Sequence, residues 1–344
     1  MSDTTPPRLA ALRRACTAGL AALPALYGLA GAALAQSSVT IYGIVDQGIV
    51  KTNTGNTPGA MLPGRGANPG TWSMKAGNTS RLGFRGSEDL GDGRYARFQI
   101  EHRFAMDTGL PSNANVFWLG RSVVALGSKS MGEVYAGREY SAAYWVALNA
   151  DPTLWSYVSQ LGSAYTYANY TPLASSVEAS NIRWANQVGY KTPSVAGFSA
   201  EIASALGEGV RKRAASGNVQ FRLGKAWAGV AFDRLDSKTN LVLAAGHYDF
   251  GAVRPGLSYA RAEGGLNGNA SAYSVSVLVP TGFGRAYAML GAYRPQTQLD
   301  SNMFGSGVQL DLSKRTLVYT NLGTARRTGS TRTTAVDFGI KHTF

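Results

Sequence analysis

The chain has 344 residues, is 44% hydrophobic, and carries 33 Lys and Arg against 20 Asp and Glu, a formal charge of +13. The cations are scattered singly or in short clusters such as Arg211-Lys212-Arg213, with no basic helix or finger-type ligand set, which excludes nucleic acid as a partner. The one cysteine, Cys16, lies near the N-terminus, so a disulfide-stapled scaffold is excluded as well.

Residues 1–35 read as a secretory signal. Arg8, Arg13 and Arg14 form a positive n-region, an apolar stretch runs from Ala15 to Leu34, and Ala33-Leu34-Ala35 is a small-x-small cleavage site before Gln36. The alternative is an uncleaved anchor, since the stretch is almost long enough to span a bilayer. Its Ala- and Gly-rich composition and Pro24 make insertion weakly driven. Arg13-Arg14 also invites a twin-arginine reading, but no cofactor site downstream calls for export of a folded protein. Cleavage leaves residues 36–344 with a charge of +11 and no cysteine. For an exported protein, that surplus suits small anions or an anionic membrane face.

Beyond residue 35 no run of 18 apolar residues occurs, so no helix is expected to span a bilayer. The apolar residues instead recur with period two, the signature of strands whose faces differ. Ala96, Phe98, Ile100, His102 and Phe104 alternate with Tyr95, Arg97, Gln99, Glu101 and Arg103. Ile182, Trp184, Val188 and Tyr190 oppose Arg183, Gln187 and Lys191. Tyr273, Val275, Val277 and Val279 oppose Ser274 and Ser276, and Val308, Leu310 and Leu312 oppose Gln309, Asp311 and Ser313. At the C-terminus Val336, Phe338, Ile340, His342 and Phe344 face away from Asp337 and Lys341.

Short turn clusters separate these runs at 88–93, 127–132, 192–193, 281–282 and 313–315, where Gly supplies positive φ and Pro fixes it. Longer polar or Gly-rich connections, such as 52–78, 207–214 and 263–269, alternate with them. About sixteen strands of roughly ten residues result, each long enough to cross a bilayer when tilted. Lipid offers the backbone no hydrogen-bond partner, so such strands can span it only by closing into a barrel. The fold class is therefore all-β, a transmembrane antiparallel barrel. A soluble β-sandwich or β-helix also alternates. Against it stand charged residues along the polar phase and aromatics at strand ends: Phe104, Tyr190, Tyr248, Phe250, Tyr293 and Phe344.

Six strings carry a family resemblance: Gln36-Ser37-Ser38-Val39-Thr40-Ile41-Tyr42-Gly43-Ile44-Val45-Asp46; Ser80-Arg81-Leu82-Gly83-Phe84-Arg85-Gly86-Ser87-Glu88-Asp89-Leu90-Gly91; Gly132-Glu133-Val134-Tyr135-Ala136-Gly137-Arg138; Tyr190-Lys191-Thr192-Pro193; Leu312-Ser313-Lys314-Arg315-Thr316; and terminal Phe344. In this order, over nearly all of 36–344, they resemble the Gram-negative general porins, in particular the anion-preferring porins of the β-proteobacterial branch. The resemblance implies a sixteen-stranded barrel, a homotrimer, periplasmic termini, and a third extracellular loop folded into the lumen. It also implies passage of small hydrophilic or anionic solutes, and assembly machinery that reads Phe344. The sequence locates that loop independently. About forty residues between Tyr140 and Ser180 lack turn-bounded alternation, and loops beyond ~12–15 residues usually have a function.

The resemblance also assigns a constriction. Arg81, in Ser-Arg-Leu-Gly, Arg121, which opens Arg-Ser-Val-Val-Ala-Leu, and Arg183 form its positive cluster, all on the polar strand phase. Glu101 is the facing wall carboxylate and Asp151 the acidic group on the loop. The loop lacks the Pro-Glu-Phe-Gly pattern of enteric members and is rich in aromatics: Tyr144, Trp145, Trp155, Tyr157, Tyr165, Tyr167 and Tyr170. These either pack the loop against the wall or form a stacking track for sugars or aromatic acids. No catalytic, metal or cofactor site is expected, because His102, His247 and His342 are far apart in sequence and no nucleophile elbow or phosphate-binding loop occurs. The rival functions are a substrate-selective channel, a surface adhesion or assembly protein, and a secreted soluble β-protein.

Overall fold

A computed structural model describes residues 38–53, 69–160, 182–209, 213–235, 239–265 and 268–344. The leader at 1–35, loop aromatics Tyr165, Tyr167 and Tyr170, and Arg211-Lys212 of the basic cluster lie outside the described residues. In chain order the elements are β1 (Ser38–Thr52), β2 (Trp72–Met74), β3 (Ser80–Gly91), β4 (Arg94–Phe104), β5 (Arg121–Ser128), β6 (Gly132–Tyr140), α1 (Ala142–Ala150), β7 (Arg183–Lys191), β8 (Phe198–Ala205), β9 (Ala214–Leu223), β10 (Ala226–Arg234), β11 (Asn240–Tyr248), β12 (Arg254–Gly265), β13 (Gly268–Thr281), β14 (Gly284–Pro295), β15 (Ser301–Asp311), β16 (Thr316–Arg327) and β17 (Thr333–Thr343).

Apart from the three-residue β2, sixteen strands among the described residues pair antiparallel, each with its neighbours in sequence. The sheet closes because β1 is shared: Ser38–Ile44 pairs with β3 and Ile44–Thr52 with β17. At the seam Gly43 and Phe344 exchange backbone bonds of 3.0 and 3.1 Å. Closure leaves no strand edge, which is what a lipid surround requires. One end of the barrel carries the start of β1, the end of β17 and the short turns. The other carries long connections at 53–79, 105–120 and 141–182, but only short ones later. The Gly-rich stretch 263–269, expected as a loop, is mostly strand, because β12 runs to Gly265 and β13 starts at Gly268.

The burial pattern is that of a soluble fold turned inside out. Val124, Leu126, Val230, Val242, Leu257, Val275 and Leu290 are more than half exposed, while Asp46, Glu101, Glu139, Gln187, Asn321 and Asp337 are buried. Such a surface is stable only where the surrounding medium is apolar, since each exposed apolar side chain would cost ~1.5–3 kcal/mol in water.

Two sequence expectations fail locally. Trp184, placed with Val188 and Tyr190, is fully buried. One extra residue in β7, between the pairs Gly137–Gln187 and Glu139–Trp184, with Asn186 at φ 55°, turns Trp184 to the interior. Tyr293, expected in an outer aromatic girdle, is buried inside with Met289 and Met303.

The long connection after β6 starts with α1, whose sequence is apolar all round, the pattern of a buried helix. It packs on β8 to β12. Val146, Ala147, Trp184, Trp227, Leu241, Leu243 and Ala260 form one cluster there. The inward phase of β10–β12 is therefore largely apolar, where the alternation alone suggested a polar lining. Ser141 precedes the helix but donates to Asp233 (3.1 Å), and Ser216 of β9 instead accepts from Ala143 N–H at 3.0 Å. Asn218 donates to the Ala142 carbonyl at 2.6 Å. Beyond the helix, Leu154, Trp155 and Tyr157 adopt left-handed φ of 52°, 56° and 68°. Such strain persists only where surrounding contacts hold it. Here Trp155 donates to the Ala147 carbonyl (3.1 Å), Tyr157 N–H to Gly77 (2.7 Å) and Val158 N–H to the Asp337 carboxylate (2.9 Å). The Tyr157 ring lies 4.4 Å from that of Tyr319, and burial pushes its phenol pKa up.

Candidate functional site

The inward phases of β3, β4 and β5 meet the ends of β6 and β7 at a cluster of four arginines. Arg103 pairs with Glu101 at 2.6 Å and donates to the Tyr140 hydroxyl at 2.9 Å. Arg183 donates to the same hydroxyl at 2.8 Å, its guanidinium lying 4.5 Å from the Tyr140 ring centre. Arg81 donates to the Asn78 side chain and to the Thr79 carbonyl (3.3 Å). Asn78 in turn donates to Ser156 of the long loop at 2.7 Å. Arg121 makes a forked ion pair with Glu139, through Nε at 2.8 and 3.0 Å and through Nη2, and donates to Gln99 at 2.6 Å. Glu139 is fully buried.

Glu101 is fixed further by Tyr42, whose hydroxyl donates to it (3.2 Å) and accepts from Gln99 (2.6 Å). Gly120 lies so close that a Cβ there would collide with the Glu101 carboxylate. Among the described residues the cluster thus holds four guanidiniums against two carboxylates. Below it, toward the short-turn end, Arg97 pairs with Glu133 and Lys191 with Glu201 (3.8 Å).

The structure brings Arg81, Arg183 and Glu101 toward one another through Tyr140 and Arg103. Arg121 joins them, but its charge is matched by Glu139. Asp151 is committed elsewhere: it is buried after the helix, and one carboxylate oxygen accepts from the Thr153 N–H (2.8 Å) and hydroxyl (2.6 Å), closing a turn. Sequence reading missed Arg103, Glu139 and Tyr140. Arg103 was legible, since alternation sets it on the phase of Glu101. Glu139 shares the inward phase of Glu133 and Tyr135, so its motif could have flagged it. Of the loop aromatics, Tyr144 and Tyr157 are buried, and Tyr144 stacks on Tyr140 at 4.1 Å. Trp155 meets Tyr144 edge-on at 5.3 Å. These three rings pack against one another and the wall.

A closed antiparallel barrel that is apolar outside and charged inside is a transmembrane channel architecture. The model of the Gram-negative porin family matches residues 19–330, and the chain belongs to that family. It is similar to an outer membrane porin protein of Bordetella pertussis, at 29% identity over 94% of this chain and 99% of the relative. Among solved structures, the anion-selective porin from Comamonas acidovorans has the same fold, with a TM-score of 0.75 at 24% identity, covering 90% of this chain and 100% of that one. The trimer form of OmpT, an outer membrane protein of Vibrio cholerae, follows at 0.64 and 14% identity, covering 90% and 99%. The protein is an outer-membrane porin channel, of a non-enzymatic family.

Proposed function

We propose that the channel passes small hydrophilic solutes by diffusion with a preference for anions, set at the Arg81–Arg103–Arg183 cluster. The observation that carries this reading is the excess, among the described residues, of guanidiniums over carboxylates on one side of the barrel interior, with Tyr140 accepting from two of them. The first part of the long loop, residues 141–160, narrows the lumen. Its contacts with β8–β12 on one side and Asp337 on the other support this. Arg81, Arg121, Arg183 and Glu101 line the narrowed passage, while Asp151 stiffens the loop. Planar-bilayer recording in a salt gradient tests the preference, and a cation-selective or silent protein would refute it.

Residues 1–35 are a leader removed on export. The intact mass of the membrane-purified protein is expected to match a chain starting at Gln36, and a full-length mass would restore the anchor.

The working unit is a homotrimer surrounded by outer-membrane lipid, with the short-turn end periplasmic. The trimeric OmpT neighbour supports that assembly. The barrel-assembly machinery reads Phe344. Deleting this residue would also remove its two backbone bonds to Gly43, so Phe344→Ala is the cleaner variant. Unheated gels of outer membranes are expected to show a slow, heat-modifiable trimer band, strongly reduced by Phe344→Ala and unchanged by Thr343→Ser. Equal band intensity in all three would remove the terminal-ring claim. Monomer alone would remove the trimer.

A further inference from the structure

We propose that the outer wall of β14–β16, at the long-connection end, is a binding site for one phosphate-bearing lipid of the adjoining leaflet. This inference rests on the barrel reading and is independent of the arginine cluster inside.

The register places two outward rungs one above the other. Leu290, Phe304 and Thr324 are neighbours across the three strands, and Ala292, Asn302 and Arg326 form the next rung toward the rim. The intervening positions Met289, Met303 and Ala325 are buried, while Leu290 is 61% exposed, so both rungs face away from the interior. Above them the connection after β16 turns at Gly329, φ 72°, and Arg332 joins Arg326 in lining the same hollow. The hollow measures about 490 Å³, with Leu290 and Phe304 among its lining residues and the two arginines at its rim side. That is within the usual span of small-ligand sites.

The charge balance selects the occupant. Neighbouring Arg294 is partly neutralised by Asp300 at 3.2 Å, and farther round the wall Arg261 is paired with Glu263 at 3.2 Å. Among the described residues, Arg326 and Arg332 have no carboxylate in ion-pair reach. Two uncompensated guanidiniums above an apolar floor call for a ligand with an anionic head and an apolar tail. A guanidinium fork suits phosphate oxygens. A free anion would leave Leu290 and Phe304 uncovered, and a neutral lipid would leave the arginines unmatched. On this proposal the boundary between rungs, from Leu290 and Phe304 to Asn302 and Arg326, marks the passage from acyl chains to headgroups.

The test is native mass spectrometry of the detergent-solubilised full protein titrated with bis-phosphorylated lipid A or with the same lipid stripped of its phosphates. The wild type is expected to retain the phosphorylated lipid. Arg326→Gln with Arg332→Gln is expected to weaken retention roughly ten-fold, as losing two partly screened charge-assisted contacts would. The paired Lys substitutions should keep most of it, and the stripped lipid should bind wild type no better than the double Gln variant binds the phosphorylated one. Lys314→Gln with Arg315→Gln, in the turn at the opposite end, should change nothing. Undiminished retention by the double Gln variant would overturn the site. Complete displacement by millimolar inorganic phosphate would overturn the lipid assignment by showing that a free anion suffices.

Discussion

Replacing Arg81 and Arg183 together by serine is expected to move the reversal potential in a salt gradient toward cations. Each guanidinium standing about 5 Å from a passing ion in water-like dielectric contributes ~0.8 kcal/mol before screening. Two of them, screened at 0.1 M salt where the Debye length is ~10 Å, leave on the order of 1 kcal/mol, a several-fold change in permeability ratio. The shift should fade toward molar salt, because a through-water effect is screened and a dehydrating filter is not. Arg81 and Arg183 are the pair to change because Arg103 and Arg121 are ion-paired with Glu101 and Glu139, so that replacing either of those would also strip a wall carboxylate of its partner. Arg94→Ser is the control, since that residue pairs with Asp92 in an exposed turn (2.8 Å). A reversal potential unmoved at low salt in the double variant would locate the preference elsewhere.

Arg121→Ala should destabilise the barrel far more than its effect on conductance suggests. Glu139 has no exposed surface, and removing its forked partner leaves a buried carboxylate without a counter-charge. Breaking such a pair from one side typically costs ~3–5 kcal/mol. Arg121→Ala combined with Glu139→Gln removes both charges and should recover most of that loss, because the amide can still hydrogen-bond. The measurement is the temperature at which the folded, heat-modifiable band disappears, taken for both single variants and the double. The expected pattern is strong non-additivity, the double variant lying well above Arg121→Ala. Additive losses would mean that the two side chains do not act as a pair, and Arg121 would then count with Arg81 and Arg183 as a source of the anion preference.

The sequence by itself determined the strands, the closed barrel and the place of the long loop. Each depends on a local signal. In β4 and β17, period-two alternation sorts Glu101 from Ile100 and Asp337 from Phe338 whatever the rest of the chain does. The turn chemistry at 88–93 and 127–132 marks strand ends within a few residues. Glu101 and Arg81 were legible as inward for the same reason.

The pairing of charges was decided only by the tertiary structure. Arg121 and Glu139 sit on adjacent strands, and their contact depends on the β5–β6 register, which no spacing in the sequence encodes. The face shown by Trp184 depends on an extra residue absorbed in β7 against β6, a compromise between two strands that turns Trp184 inward. The apolar interior of β10–β12 was hidden because Leu241 and Leu243 read like lipid-facing residues. They stand inside because α1, from a loop nearly a hundred residues earlier, covers them. Asp151 shows the same limit: its carboxylate accepts from Thr153 two residues on, a contact that depends on the backbone path of the loop and not on spacing alone. Alternation fixes which side of a wall a residue faces; what it meets there is fixed by chain segments distant in sequence.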